Sequence, residues 1–350
     1  METSASWFVS WSVLTANFLI ILSIALCAGT LSALLHMANA KWRFQVRKFA
    51  VALAVLFPIA FVLLIILLMN PESTFQWMAH AQEGGEQHLN GWHNYTFLVA
   101  RQIICFLIVA GLYALFLRYQ HLSEIDSSPK VQRRFRNITL LIPFVYVPYA
   151  TLVAWDFEMT MLPGWHSASY GAYYFVSSFH AFLAFFTIFL FFLSRSGKLV
   201  TPLPEHVFNK LAQFMFAFTI LWTYLFYTQF LIFWYGRLPS ETGRYFSMMY
   251  DGYGYLWWTF FTLKFVIPIW SFIFAAVRHN PVVLTFIASG ILLGTWIERY
   301  TWITGTVDSQ FYQAPMSSLF SIIATVVVLA IAWFAVRWSL HRYGLTRASS

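Results

Sequence analysis

Apolar residues run along this chain in nine long stretches, at about 12–37, 46–70, 93–118, 137–157, 169–194, 207–235, 252–277, 281–303 and 316–340, with polar residues gathered in the gaps. A stretch of roughly 20 such residues predicts a helix through hydrocarbon. No water is present there to satisfy backbone amides, and a helix satisfies them within the segment. The expected fold class is therefore an all-α polytopic membrane protein of about nine transmembrane helices, with residues 1–350 forming a single membrane domain. No soluble domain interrupts it. The longest connection is a loop at about 71–92, and the next, 119–136, is polar and basic. The first stretch is too long for a signal-peptide core and follows no positive residue, so it is expected to remain as a helix.

Composition agrees: 60% of residues are hydrophobic and 10% charged, against roughly a quarter charged in soluble domains. The net charge of +8 would suggest nucleic acid in a soluble chain, but here position matters more than sum, and nucleic acid is not an expected partner. Sixteen of the 21 Lys and Arg fall between stretches 1 and 2, 3 and 4, 5 and 6, 7 and 8, or in the tail. The positive-inside bias makes these ends cytoplasmic, with the N-terminus outside and the C-terminus inside. Ten of 13 acids (Glu2, Glu72, Glu83, Glu86, Asp156, Glu158, Glu241, Asp251, Glu298 and Asp308) fall at the opposite, outer end.

Setting residues 12–37 aside as an extra helix, 46–194 and 207–340 can be laid over one another as two four-helix bundles. Asn70-Pro71-Glu72-Ser73-Thr74 matches Leu238-Pro239-Ser240-Glu241-Thr242; Arg101 in the third stretch answers Lys264 in the seventh; Trp155-Asp156 answers Trp296-Ile297-Glu298. Together they suggest an internal duplication.

Ionisable groups inside a span cost several kcal/mol unless paired or hydrated, which makes each a candidate site residue. Arg101, His180 and Lys264 lie within spans, and Asp156, Glu158, Glu298 and Glu241 lie at outer ends. Tyr173, Ser177 and His180 are spaced to share one helix face. Each also has a plainer reading: Arg101 locking helices through a carboxylate, His180 as an interhelical hydrogen-bonding residue, Lys264 in a structural ion pair. The set suits chemistry that exchanges protons with the outside, such as quinol oxidation or ion translocation. In a quinone pocket, Asp156 and His180 would accept protons, Arg101 would orient the ring, and Trp155, Tyr173 and His166 would line it. In a proton path, Asp156, Glu158, Lys264, Glu298 and Glu241 would carry the relay. No metal site is expected. Cys27 and Cys105 are too few for an iron–sulfur cluster, and His180 has no second histidine at matching depth for a haem.

Three stretches carry a resemblance. They are Trp155-Asp-Phe-Glu-Met-Thr-Met-Leu-Pro-Gly-Trp165-His-Ser-Ala-Ser-Tyr-Gly171-Ala-Tyr-Tyr174, Gln229-Phe-Leu-Ile-Phe-Trp-Tyr235-Gly-Arg-Leu-Pro239-Ser-Glu241-Thr242, and Phe265-Val-Ile-Pro268. In order and content they resemble the NrfD-like (ActF-like) membrane subunits of alternative complex III, a quinol:cytochrome c or quinol:acceptor oxidoreductase. The resemblance spans roughly residues 30–305. It implies two four-helix bundles, a place in the bacterial inner (cytoplasmic) membrane, and menaquinone or ubiquinone as substrate. The implied partners are a multihaem cytochrome c subunit, an iron–sulfur subunit, a second NrfD-like membrane subunit and lipid. The chain departs from the pattern in having Ser240-Glu241 where the family has paired glutamates, Lys264 where a histidine is expected and Glu298 where an aspartate is expected. It is also short for the family. Beside this stand a secondary transporter or ion-conducting module using Lys264, Glu298 and Asp156, and a structural subunit with no site. Pro58, Pro143, Pro148 and Pro268 do not form the matched helix breaks of alternating access, which weighs against the transporter.

Overall fold

The structure, a computed structural model, describes residues 2–78, 91–236, 239–307 and 311–347. Glu83, Glu86 and Asp308 lie outside the described residues, as do most of the loop 71–92 and the Glu2 side chain. Among the described residues, nine helices are long and apolar enough to cross a membrane: α1 (Ser6–Met37), α2 (Arg43–Met69), α3 (Tyr95–Ile125), α4 (Pro129–Met159), α5 (Tyr170–Arg195), α6 (Glu205–Gly236), α7 (Gly254–Ile273), α8 (Pro281–Thr304) and α9 (Leu319–Arg342). The fold is all-α and polytopic, and among the described residues extended pairing is limited to one isolated bridge between Leu199 and Thr346.

The helices outrun the apolar stretches where water takes over. α4 starts at Pro129, inside the basic segment, because a helix can continue beyond the hydrocarbon and a proline in its first turn gives up no internal bond. α2 tightens into a 3-10 turn at Leu53–Val55 just ahead of Pro58, whose missing N–H cannot bond the Ala54 carbonyl. The expected seventh span to 277 is broken, since the backbone turns extended at Phe274 and a separate helical turn follows. A short helix, Pro239–Tyr250, lies between α6 and α7 and was not foreseen; it is too polar to read as a span.

The first helix is the most enclosed, with 89% of its central apolar stretch buried. It packs on α2, α4, α5, α8 and α9, touching members of both proposed four-helix groups. Three of its hydroxyls are satisfied along its own length: Ser12 donates to the Phe8 carbonyl (2.8 Å), Ser23 to Leu19 (2.7 Å) and Thr30 to Leu26 (2.9 Å), whereas Ser32 reaches Gln120 of α3 (2.7 Å). Asn17 instead reaches outward, donating to Thr325 of α9 (2.8 Å) and accepting the Trp296 indole of α8 (2.8 Å).

Candidate functional site

Two of the spanning helices are irregular where they carry charge. α4 ends in a π turn, Trp155–Met159, in which Thr160 N–H bonds the Trp155 carbonyl (2.9 Å). α7 contains a second, Thr262–Val266, centred on Lys264. Pro268 explains the latter, because it offers no N–H to the Lys264 carbonyl and the regular ladder must break there. π turns of this kind recur at functional positions.

Asp156 and Glu158 are two residues apart on α4, so they face nearly opposite ways. Asp156 turns toward α3 and is fully buried. Arg101 grips it with two N–H groups, Nε to Oδ2 at 2.9 Å and Nη2 to Oδ1 at 2.6 Å. Gln102 donates to Oδ2 (2.6 Å) and the Trp92 indole to Oδ1 (2.8 Å). The Arg101 guanidinium lies 4.1 Å from the Trp92 ring centroid, and Trp92 meets Trp155 edge-on at 5.5 Å.

Glu158 turns toward α5 and α8. It accepts the Tyr170 hydroxyl (2.7 Å) and Arg299 Nη1, at 2.9 Å on Oε2 and 3.1 Å on Oε1. Arg299 also donates to the Tyr174 carbonyl (3.2 Å) and lies 4.0 Å over the Tyr174 ring. Adjacent Glu298 faces the second group. Its carboxylate accepts the Tyr173 hydroxyl and the Trp222 indole (2.9 Å) on Oε1, and Ser177 (2.6 Å) and Lys264 on Oε2. Lys264 donates a further hydrogen bond to Ser177 (2.7 Å) and rests 4.3 Å from the Trp222 ring centroid, so its ammonium is enclosed on every side. Gly294 makes this possible: a Cβ there would stand 2.9 Å from Lys264 Cγ and 3.0 Å from Leu263 Cβ.

One turn past Ser177, fully buried His180 meets Thr219 of α6, Nε2 to Oγ1 at 3.2 Å. The Thr219 hydroxyl spends its proton on the Met215 carbonyl (2.9 Å), so Nε2 must be the protonated nitrogen. That leaves Nδ1 a bare acceptor, buried and without a partner among the described residues.

The short helix Pro239–Tyr250 closes the outer end. Arg244 donates to the carbonyls of Glu158 (3.0 Å), Met159 (3.1 Å) and Trp302 (2.7 Å) and stacks on Trp165 at 4.5 Å. Burial pushes its guanidinium down to about 10, opposed by Tyr170, Glu158 and Tyr245, so it stays charged at neutral pH. Glu241 is buried on the same helix, where its carbonyl accepts the Trp165 indole (3.0 Å).

The predicted residues therefore fall into two groups. Arg101, Asp156 and Trp155 meet on α3 and α4, whereas Tyr173, Lys264 and Glu298 meet on α5, α7 and α8, with His180 one turn further along α5 and bonded to α6; Glu158 links α4 to α8. His166 joins neither, being exposed and bonded, among the described residues, to the Gly164 carbonyl (3.2 Å). Sequence reasoning missed Arg299, Arg244, Gln102, Trp92, Trp222 and Trp302. A signal existed for the two arginines, since both stand at the acid-rich end, against the charge bias of the chain. No family model and no curated protein matches this chain.

Proposed function

We propose that the chain is an integral membrane subunit of a respiratory quinol-oxidising complex of the alternative complex III type, and that its buried charges form an outer-side proton path. The observation that carries the reading is His180 Nδ1, an unpartnered base in the bundle interior one helical turn from the Lys264–Glu298 pair. Chains of His, Lys and carboxylate groups inside a membrane are costly and mark ion or proton routes. The three stretches of family resemblance also converge here. The first supplies Asp156, Glu158, Tyr170, Tyr173 and Tyr174, the second supplies Glu241, and the third begins directly after Lys264.

In this reading the short helix and Glu158, which accepts the Tyr170 hydroxyl and Arg299, stand at the outer mouth of the path. There the order of travel is outward: a proton given up by quinol oxidation is accepted at Nδ1 of His180, passes by Ser177 and the Lys264–Glu298 pair to Tyr173, and leaves by way of Glu158. The path is favoured over a ring pocket because Glu298, Ser177 and Lys264 hydrogen-bond one another directly and so form a continuous polar chain packed against the Trp222 ring. Asp156 takes a different part: its partners Arg101, Gln102 and Trp92 lie toward α3 and none of them bonds the Lys264–Glu298 group, so it braces α4 against α3. The partners remain those the resemblance implies: a multihaem cytochrome c, an iron–sulfur protein and a second NrfD-like chain, with menaquinone or ubiquinone as substrate.

The test is a purification in mild detergent from the native membrane. The expected result is co-purification with haem- and iron–sulfur-bearing partners, and quinol-driven cytochrome reduction that falls about 10²-fold in His180→Gln, a change that keeps a donor to Thr219 but cannot take up a proton. Haem content and assembly should be unchanged. A chain that travels alone and drives gradient-dependent flux in vesicles would replace this reading with a transporter, and unaltered turnover in His180→Gln would remove the path.

A further inference from the structure

At the basic end of the bundle, far from the carboxylate network, a cavity of about 380 Å³ opens between the end of α1, the start of α2 and the facing ends of α3 and α4. We propose that it binds the phosphate of an anionic phospholipid headgroup. Arg43 and Arg47 stand four residues apart on α2 and so share a face, a like-charged pairing that is unfavourable unless an anion lies between them. Both guanidiniums flank the ring of Phe44, at 4.5 and 4.7 Å. The carboxylate in the cavity wall, Glu124, is already committed to Arg47 (2.8 Å) and Lys48 (3.5 Å). In the cavity wall two arginines thus face one carboxylate, which Lys48 outside the wall also shares.

Arg43 is the uncompensated member. Among the described residues its one hydrogen bond is a weak one to the Ala40 carbonyl (3.3 Å), and its Nε, like that of Arg47, is buried without an acceptor. An arginine fork with unfilled donors matches the oxygens of a phosphate. Ser123 and Gln132 add polar wall, and His36 packs on Phe135 at 4.5 Å to close the apolar side. The volume lies in the range of small-ligand sites and exceeds by more than tenfold the ~30 Å³ share of a water molecule.

A lipid fits better than a soluble phosphate compound. The cavity lies where helices leave the apolar layer, and Phe44, Met37 and Ile125 beside it are exposed large hydrophobic residues. Basic pockets between helix ends on the cytoplasmic face recognise anionic headgroups.

The experiment uses the full chain, delipidated in mild detergent, with thermal unfolding followed as phosphatidylglycerol, phosphatidylcholine or sodium phosphate is added. Phosphatidylglycerol is expected to protect the wild-type chain, with phosphatidylcholine and inorganic phosphate inert. Arg43→Gln should weaken the apparent affinity at least tenfold, while Arg342→Gln, in the basic tail, leaves it unchanged. Ser123→Asp, which adds an anion to the wall without touching an arginine, should have the same effect as Arg43→Gln and serves if that variant does not fold. Equal protection by phosphatidylcholine or by inorganic phosphate overturns the assignment, as does wild-type affinity in both cavity variants.

Discussion

Asp156 and Glu298 each accept four hydrogen bonds, which is about all a carboxylate can take. Removing charge from one partner of such a pair strands the other in a low-dielectric interior. Asp156→Asn is therefore expected to cost about 3–5 kcal/mol in chemical unfolding, with part of the loss regained in the double variant Asp156→Asn/Arg101→Met. Equal stability of the single variant and wild type would mean that the pair is hydrated and contributes little. The sequence made these charges legible because an acid or base in oil is conspicuous. Their pairing was less so. The i, i+4, i+7 face of Tyr173, Ser177 and His180 does turn inward, yet only the first two reach Glu298, and His180 turns to Thr219. Arg299 hid beside Glu298, since neighbours in sequence point to different helices and no spacing rule says which.

On the scale of a helix, the two π turns decide what the charges can touch. α7 would present Lys264 differently were it regular, and its approach to α8 depends on the absence of a side chain at Gly294. Gly294→Ala is expected to force the helices apart by a few tenths of an ångström, with a loss of about 1–3 kcal/mol and lowered quinol turnover resembling a Lys264 defect. If the variant keeps both stability and rate, the close approach is not what seats Lys264. Helix existence was readable throughout, because hydrocarbon sets a minimum apolar length. Irregularities were not: prolines are visible in the sequence, but whether one yields a 3-10 turn as before Pro58 or a π turn as before Pro268 depends on neighbouring helices. The short helix Pro239–Tyr250 escaped because its polar residues face buried partners across the outer end, an environment no local pattern announces.

For the molecule as a whole, charge is sorted by end, and this fixes an orientation that can be measured. In right-side-out vesicles carrying a Cys105→Ala background, Asp251→Cys should react with an impermeant maleimide and Lys198→Cys should not until the membrane is opened; the reverse pattern would invert the protein. Cys27 is buried and would stay silent. The enclosure of α1 bears on how such a molecule is made. The first of the nine described spans ends up in the middle, and it carries its own acceptors for Ser12, Ser23 and Thr30 while it waits in lipid. Asn17 cannot wait in that way, for its amide is answered only by Trp296 and Thr325, from the last two spans. The eighth and ninth spans thus clasp the first, and a product halted before its ninth helix would keep the Asn17 amide N–H₂ without Thr325 at the bundle's centre, a chemical mark by which an unfinished bundle differs from a finished one.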